Sequence, residues 1–298
     1  MSKVLVPLDG SEHANRAIAH AAGLAGEGGE LVLFHVRPAY GSPADVLAQI
    51  DRTADRLRGE GLNVEVVQYD LWVGDVGSVI AAAAGDRAVD AVVMASHGRT
   101  GLARAAFGSV ADETVRRATV PVVVVPRGVG EAVPAGRPAR MMVPLDGSPL
   151  SEHAVERAIE LAKRLNASVV VVRCVDLPDA VPVPAAPYLG TTTLVSEAAE
   201  PVAATEHAQG YVDRMAARFR AEGIHADTLV LPHADSSALA RVANEERADL
   251  IVMATHGRSG LTRLATGSTA AAVVLAATVP VMLIRPQPVG AAVEATPS

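Results

Sequence analysis

The chain has 298 residues, half of them hydrophobic and a fifth charged, with a formal net charge of −7 and no run of more than two Lys or Arg. That length suits about two globular domains, and the acidic balance argues against a broad nucleic-acid surface. A single cysteine, Cys174, excludes an intrachain disulfide. No apolar run reaches the ~18 residues of a membrane span, and the opening MSKVLVPLDG lacks the apolar core of a secretory signal. The expectation is a cytoplasmic protein with neither nucleic acid nor membrane as partner.

Along the chain, short runs rich in β-branched residues alternate with stretches of helical spacing. The runs are Lys3–Leu8, Glu30–Arg37, Leu62–Tyr69, Asp90–Ala95 and Val120–Val125. They are almost continuously apolar, which predicts strands buried on both faces of a parallel sheet. Ser11-Glu12 marks a helix start after the first run, and Gly108-Ser109 marks another before Asp112 and Glu113. Arg127–Ala139 (RGVGEAVPAGRPA) reads as a Gly/Pro linker, and beyond it the same order begins again.

The second half repeats the first. VPLDGS occurs at Val6–Ser11 and at Val143–Ser148, SEHA at Ser11–Ala14 and at Ser151–Ala154. Val93–Leu102 (VMASHGRTGL) recurs as Val252–Leu261 (VMATHGRSGL), and Gly108-Ser109 recurs as Gly267-Ser268. The offset is 137 at the front and 159 at the back, so the second copy holds a net 22 extra residues, which fall around the Pro-rich stretch Asp176–Thr205. Closely spaced prolines break helix and strand alike, so that stretch is expected to be a long loop. The fold class expected is α/β: two tandem doubly wound domains, each with a parallel five-stranded sheet. They occupy residues 1–127 and 140–286, with a linker over 128–139 and a flexible tail over 287–298.

In open α/β sheets ligands bind beyond the carboxyl ends of the strands, where strand order reverses. Two segments meet that description: Pro7–Ser11 closing the first strand, and Ala95–Gly101 closing the fourth. If those strands are neighbours, Asp9 faces the glycine loop, and Asp146 faces Ala254–Gly260. Gly98, Gly101 and Gly108 let backbone approach an anion closely, and Gly108-Ser109 opens a helix whose free N–H groups and dipole favour phosphate. Neither G-x-x-x-x-G-K-[ST] nor a G-x-G-x-x-G after the first strand is present. The bland readings are that the glycines only make a turn, that Asp9 only caps a helix, and that His97 and His256 only brace a loop. His13, His20, His153 and His207 have no metal-ligand spacing and are expected at the surface. Cys174 is expected to be a small buried hydrophobe.

The pattern A-x2-G-x9-G-S, present as Ala95, Gly98, Gly108, Ser109 and again as Ala254, Gly257, Gly267, Ser268, resembles the ATP-binding signature G-x2-G-x9-G-[ST] of the universal stress protein family. V-P-x-D at the first strand, His35-Val36 at the second (with Cys174-Val175 as counterpart) and the closing V-P-V strand are similar to that family too, over roughly 1–126 and 140–286. The resemblance implies one ATP per repeat, carried with Mg. Pro7 and Pro144, of the V-P-x-D segments, would line the nucleotide site with Ala95 and Ala254; Asp9 and Asp146 would contact ribose or metal; Val36 and Val175 would offer backbone to adenine. Gly98, Gly108 and Ser109, with Gly257, Gly267 and Ser268, would hold phosphates, while Arg99 and Arg258 either reach the phosphates or are only solvated. The departures are Ala95 and Ala254, where the signature has glycine and an added Cβ penalises positive φ.

The resemblance further implies pairing of the closing strands, giving an intramolecular pseudo-dimer of repeats, with a homodimer or an unknown protein partner beyond it. The leading reading is a regulatory ATP-binding protein with slow or no hydrolysis. The rivals are a hydrolase or transferase of the related adenine-nucleotide fold group, which needs a base beside the phosphates, and an interaction module that binds no nucleotide.

Overall fold

A computed structural model describes residues 3–38, 44–96, 108–127, 129, 138–175, 199–232, 236–255 and 268–285, and among these it contains ten strands and eight helices. The first repeat runs β1 (Lys3–Pro7), α1 (Glu12–Ala25), β2 (Glu30–Pro38), α2 (Ala44–Gly59), β3 (Asn63–Leu71), α3 (Val76–Asp86), β4 (Ala91–Ala95), α4 (Ser109–Arg117) and β5 (Val122–Val125). The second runs β6 (Arg140–Pro144), α5 (Pro149–Leu165), β7 (Ser168–Val175), α6 (Ala199–Ala221), β8 (Ala226–Pro232), α7 (Ser236–Glu245), β9 (Leu250–Ala254), α8 (Ser268–Ala276) and β10 (Val281–Ile284). Every strand expected in the first copy is present. The last begins at Val122 because Pro121 has no N–H to give the ladder, although its carbonyl accepts from the Val92 amide at 3.0 Å.

All strands join one sheet in the order β3-β2-β1-β4-β5-β10-β9-β6-β7-β8. Within each repeat the pairings are parallel, and the single antiparallel contact is β5 with β10, through Val124↔Val281, Val123↔Met282 and Val122↔Leu283. The two closing strands thus remove each other's open edge, the hazard that an apolar edge strand poses. Because this contact is antiparallel, every strand of the first repeat points opposite to every strand of the second. The carboxyl ends of the two repeats lie at opposite ends of the sheet.

Successive residues of each strand feed opposite faces. Val4, Leu31, Val93, Val123, Met141, Val171, Val252 and Met282 pack under α1, α2, α5 and α6. Leu5, Val32, Val92, Val124, Met142, Val172, Ile251 and Val281 pack under α3, α4, α7 and α8. Both clusters run through both repeats, and Val, Leu, Ile, Ala and Met supply most of them. This two-faced burial is why the strands read as continuous apolar runs.

Three of the helices start on their own side-chain caps: Ser11 accepts from the Ala14 amide, Asp75 from Ser78 and Ser148 from Ser151. At the amino ends of the strands, Asp90 accepts from the Lys3 amide at 3.1 Å and Asp249 from the Arg140 amide at 3.0 Å, so these matched acids tie β4 to β1 and β9 to β6. Of the loop expected over Asp176–Thr205, residues 176–198 lie outside the described residues, as do positions 128 and 130–137 of the linker and everything beyond Arg285. Residues 199–205 are not loop but the first turns of α6, since past Pro187 the only proline of that stretch is Pro201, in the first helical turn where a proline is tolerated.

Candidate functional site

The strand order reverses between β1 and β4, which are paired through Leu5↔Val92. β2 lies on the far side of β1 and β5 on the far side of β4. The two sequence segments singled out above therefore leave the sheet side by side. Past β1, the Leu8 amide donates to the Phe34 carbonyl at 2.8 Å, continuing the ladder by one residue. His35, 3% exposed, places Nδ1 at 2.7 Å from the Leu8 carbonyl oxygen. A carbonyl only accepts, so Nδ1 carries the hydrogen. Asp9 Oδ1 accepts from the Ser11 amide at 2.9 Å across Gly10, whose φ of +82° suits glycine. The α1 cap is Ser11, so Asp9 braces the turn and does not cap the helix.

At the end of β4, Ala95 pairs in register with Val125 and is absent from the positive-φ residues, as is Ala254 in the second repeat. Both alanines have ordinary strand conformation, so the Cβ carries no backbone penalty there. Ser96, 2% exposed, donates its amide to the Val125 carbonyl at 2.9 Å and accepts at its own carbonyl from the Gly108 amide at 2.8 Å. Ser96 and Gly108, which flank residues 97–107, are thus tied to each other. Those residues, including His97, Gly98, Arg99 and Gly101, lie outside the described residues. Gly108 then caps α4 with no side-chain acceptor. The first-turn amides of this helix receive nothing from their cap residue, unlike those of α1, α3 and α5, and the helix dipole there favours an anion. Ser109 is exposed beside them.

The second repeat copies this frame. The Leu145 amide donates to the Val172 carbonyl at 2.8 Å, and the Thr255 amide to the Ile284 carbonyl at 2.8 Å, as Leu8 and Ser96 do in the first. Asp146 Oδ1 accepts from the Ser148 amide at 2.9 Å and the Ser148 hydroxyl at 2.6 Å. Burial works to raise the Asp146 pKa, but the Ser148 hydroxyl and amide, helped by Ser151, hold the carboxyl below its ordinary value. Asp146 is thus a carboxylate at neutral pH. His256, Gly257, Arg258 and Gly267 lie outside the described residues; Ser268 is the first residue of α8.

The register corrects one sequence correspondence. Pro7 pairs with Phe34, and Pro144 pairs with Val172. The counterpart of His35-Val36 is therefore Arg173-Cys174, and Val175 stands one position further along. Packing agrees: Val36 belongs to the cluster under α3 and α4, and Cys174 packs against that same cluster. Cys174 is half-buried where the sequence suggested full burial. Of the four helical histidines expected at the surface, His207 is exposed, whereas His13, His20 and His153 are half-buried. Burial lowers the His20 pKa.

The sequence reading also missed a group at the second rim. The Arg173 guanidinium lies against Gly147 and stacks 4.7 Å from the Tyr211 ring centroid. No motif signals it, because it joins a strand and a helix far apart in sequence; only the strand register reveals it. Among the described residues no three His, Cys, Asp or Glu side chains are grouped to hold a metal ion, and no helix is long and apolar enough to cross a membrane.

The family model described as the universal stress protein family matches residues 1–126 and again 139–285. A universal stress protein of Mycobacterium tuberculosis H37Rv is 32% identical over 194 residues, covering 65% of this chain and 61% of its own length. The chain thus spans about three fifths of that relative. One from Methanocaldococcus jannaschii is 32% identical over 146 residues, covering 49% of this chain and 81% of its own. The crystal structure of a universal stress protein from Archaeoglobus fulgidus superposes with a TM-score of 0.66 at 18% identity, covering 95% of this chain and 98% of its own, a likeness of fold. With one family match to each repeat and one shared sheet built from both, the chain belongs to the universal stress protein family.

Proposed function

We propose that this chain is a regulatory ATP-binding protein with one nucleotide site at the carboxyl rim of each repeat, magnesium carried on the phosphates, and slow or absent turnover. The observation that supports it most is the tie between Ser96 and Gly108, which holds both flanks of the glycine-bearing segment at the switch point and starts α4 there with no side-chain acceptor on its first turn. Phosphate suits those amides, with Gly98, Arg99 and Ser109 around it. Asp9 suits ribose hydroxyls. The backbone at Val36 suits the adenine edge, and in the second repeat the Cys174-Val175 end of β7 takes that part. Pro7 and Pro144 end the strands below the ligand, and Ala95 and Ala254 keep the floor small. Asp146, Gly257, Arg258, Gly267 and Ser268 complete the second site.

The same inventory argues for a ligand and not a fuel. Fast phosphoryl transfer needs an oriented water and cations on the γ-phosphate. Beside the helix starts the described rim offers backbone donors and one aspartate per site, with Arg173 at the Asp-Gly turn of the second; such groups bind ground state and transition state alike and give affinity without rate.

Calorimetric titration with ATP and magnesium tests the reading. Two sites are expected, each worth about −4 to −8 kcal/mol. Gly108→Val and Gly267→Val should each remove one, since a branched side chain would fill the phosphate approach. A stoichiometry of zero, or phosphate release well above ~1 per second that Asp9→Ala abolishes, would overturn it.

A further inference from the structure

The two rims differ beside the Asp-Gly turn, and the difference is built from both flanks. In the first repeat His35 turns inward to the Leu8 carbonyl, and Val46 of α2 packs over Gly10, its methyl carbons 2.9 and 3.0 Å from where a Cβ would stand. Arg58 donates to the Val64 carbonyl as Arg220 does to the Ala226 carbonyl, and both helices end ahead of a positive-φ glycine, Gly61 or Gly223. These matches set α6 against α2, and the counterpart of Val46 is Ala208. Both are buried. The second repeat thus has a shorter side chain on the helix and a longer one, Arg173, on the strand.

The guanidinium fills the space that Ala208 leaves. A Cβ on Gly147 would stand 2.7 Å from Nη1 and 2.9 Å from Nη2 of Arg173. On its other flank Tyr211, 6% exposed, offers its ring face, with its hydroxyl 3.3 Å from Glu152 Oε1. A guanidinium stacked by its face keeps its N–H edges available for a planar, bidentate partner. Among the described residues no carboxylate pairs with Arg173. Asp146, next to Gly147, is engaged with Ser148 instead.

We propose that the site of the second repeat recognises a nucleotide carrying a phosphate on its ribose, at the 2′ or 3′ position, through Arg173, while the site of the first repeat does not. This rests on the nucleotide reading above, which puts the ribose at the Asp-Gly turn and the 5′ phosphates at the helix start across the rim. A guanidinium fork at that turn meets an oxyanion on the ribose, and a ribose phosphate accepts two of its hydrogen bonds at once. The first repeat presents a valine and an inward-facing histidine at the same place.

The test is calorimetric titration of the full chain with 5′-AMP, adenosine 2′,5′-bisphosphate and adenosine 3′,5′-bisphosphate. One of the two sites should prefer one bisphosphate over AMP by roughly 10- to 100-fold, the range of a charge-assisted hydrogen bond. Arg173→Gln should remove that preference and leave AMP affinity at the first site unchanged, while Arg173→Lys should keep part of it. Ala208→Val refills the space over Gly147 and displaces the guanidinium with the charge intact; it should also remove the preference, and it keeps the test open if Arg173→Gln fails to fold. Equal affinity for AMP and both bisphosphates, or a preference that survives these variants, overturns the inference and leaves the nucleotide reading standing. Binding of none of the nucleotides, ATP included, overturns both.

Discussion

Replacing Met282 with alanine tests whether the seam makes the two repeats one folding unit. Met282 is 1% exposed, pairs with Val123 across the antiparallel contact, and belongs to a cluster with members from both repeats. Truncating a buried methionine costs about 2–5 kcal/mol, because the transfer energy is lost and the cavity collapses only partly. At roughly 2.1 cal/mol/K per residue, unfolding entropy for 298 residues is about 0.6 kcal/mol/K, so a loss of about 3 kcal/mol lowers the midpoint by about 5 °C. Calorimetry should show one transition shifted whole. Hydrogen exchange read by mass spectrometry should show the same loss of protection in β1 and β4 as in β6 and β9, although the substitution lies in the second repeat. A trace that splits in two, with protection lost only in the second repeat, would refute the idea of a single unit.

Three further expectations follow from named contacts. Gly10→Ala and Gly147→Ala each force a left-handed backbone on alanine, costing about 1 kcal/mol. Gly10→Ala should cost about 1 kcal/mol more, because Val46 is stiff whereas Arg173 can swing away; urea unfolding that gave the reverse order would contradict the packing described. His20 has a pKa lowered by burial, so the unfolded chain takes up its proton first, and stability should fall as pH drops below about 6.5; a His20→Gln variant whose stability fell as steeply between pH 7 and 5 would show that His20 is not the group responsible. Deleting Pro178–Glu197 should alter nucleotide affinity at the second site alone, since β7 ends at the rim opposite the first site; equal effects at both sites in a titration, or none, would reject a covering role for that segment.

Much of the architecture was legible in the sequence. Buried parallel strands have no polar face to interrupt them, and the duplicated VPLDGS and Gly-Ser positions fixed the frame twice over. Letter matching failed where one residue of spacing decided the outcome. Lys3 pairs with Glu30 at an offset of 27, but Arg140 pairs with Ser168 at 28, so the second repeat is one residue longer between its first two strands. A shared valine made Cys174-Val175 look like His35-Val36, when a single-step slip exchanges the faces of a strand. The Arg173 clamp was illegible for a related reason. It depends on where α6 sits over β7, and nothing local to Arg173, Ala208 or Tyr211 marks them as neighbours. The worry over Ala95 came from motif comparison; a strand position needs no glycine, and the ladder to Val125 shows it is one.

The antiparallel join of β5 to β10 gives the molecule divergent mouths. A surface or partner that covers one rim necessarily leaves the other facing away from it, and no ligand of ordinary size can reach both. The chain is in this sense two-ended, with one carboxyl rim turned toward each of two opposite directions.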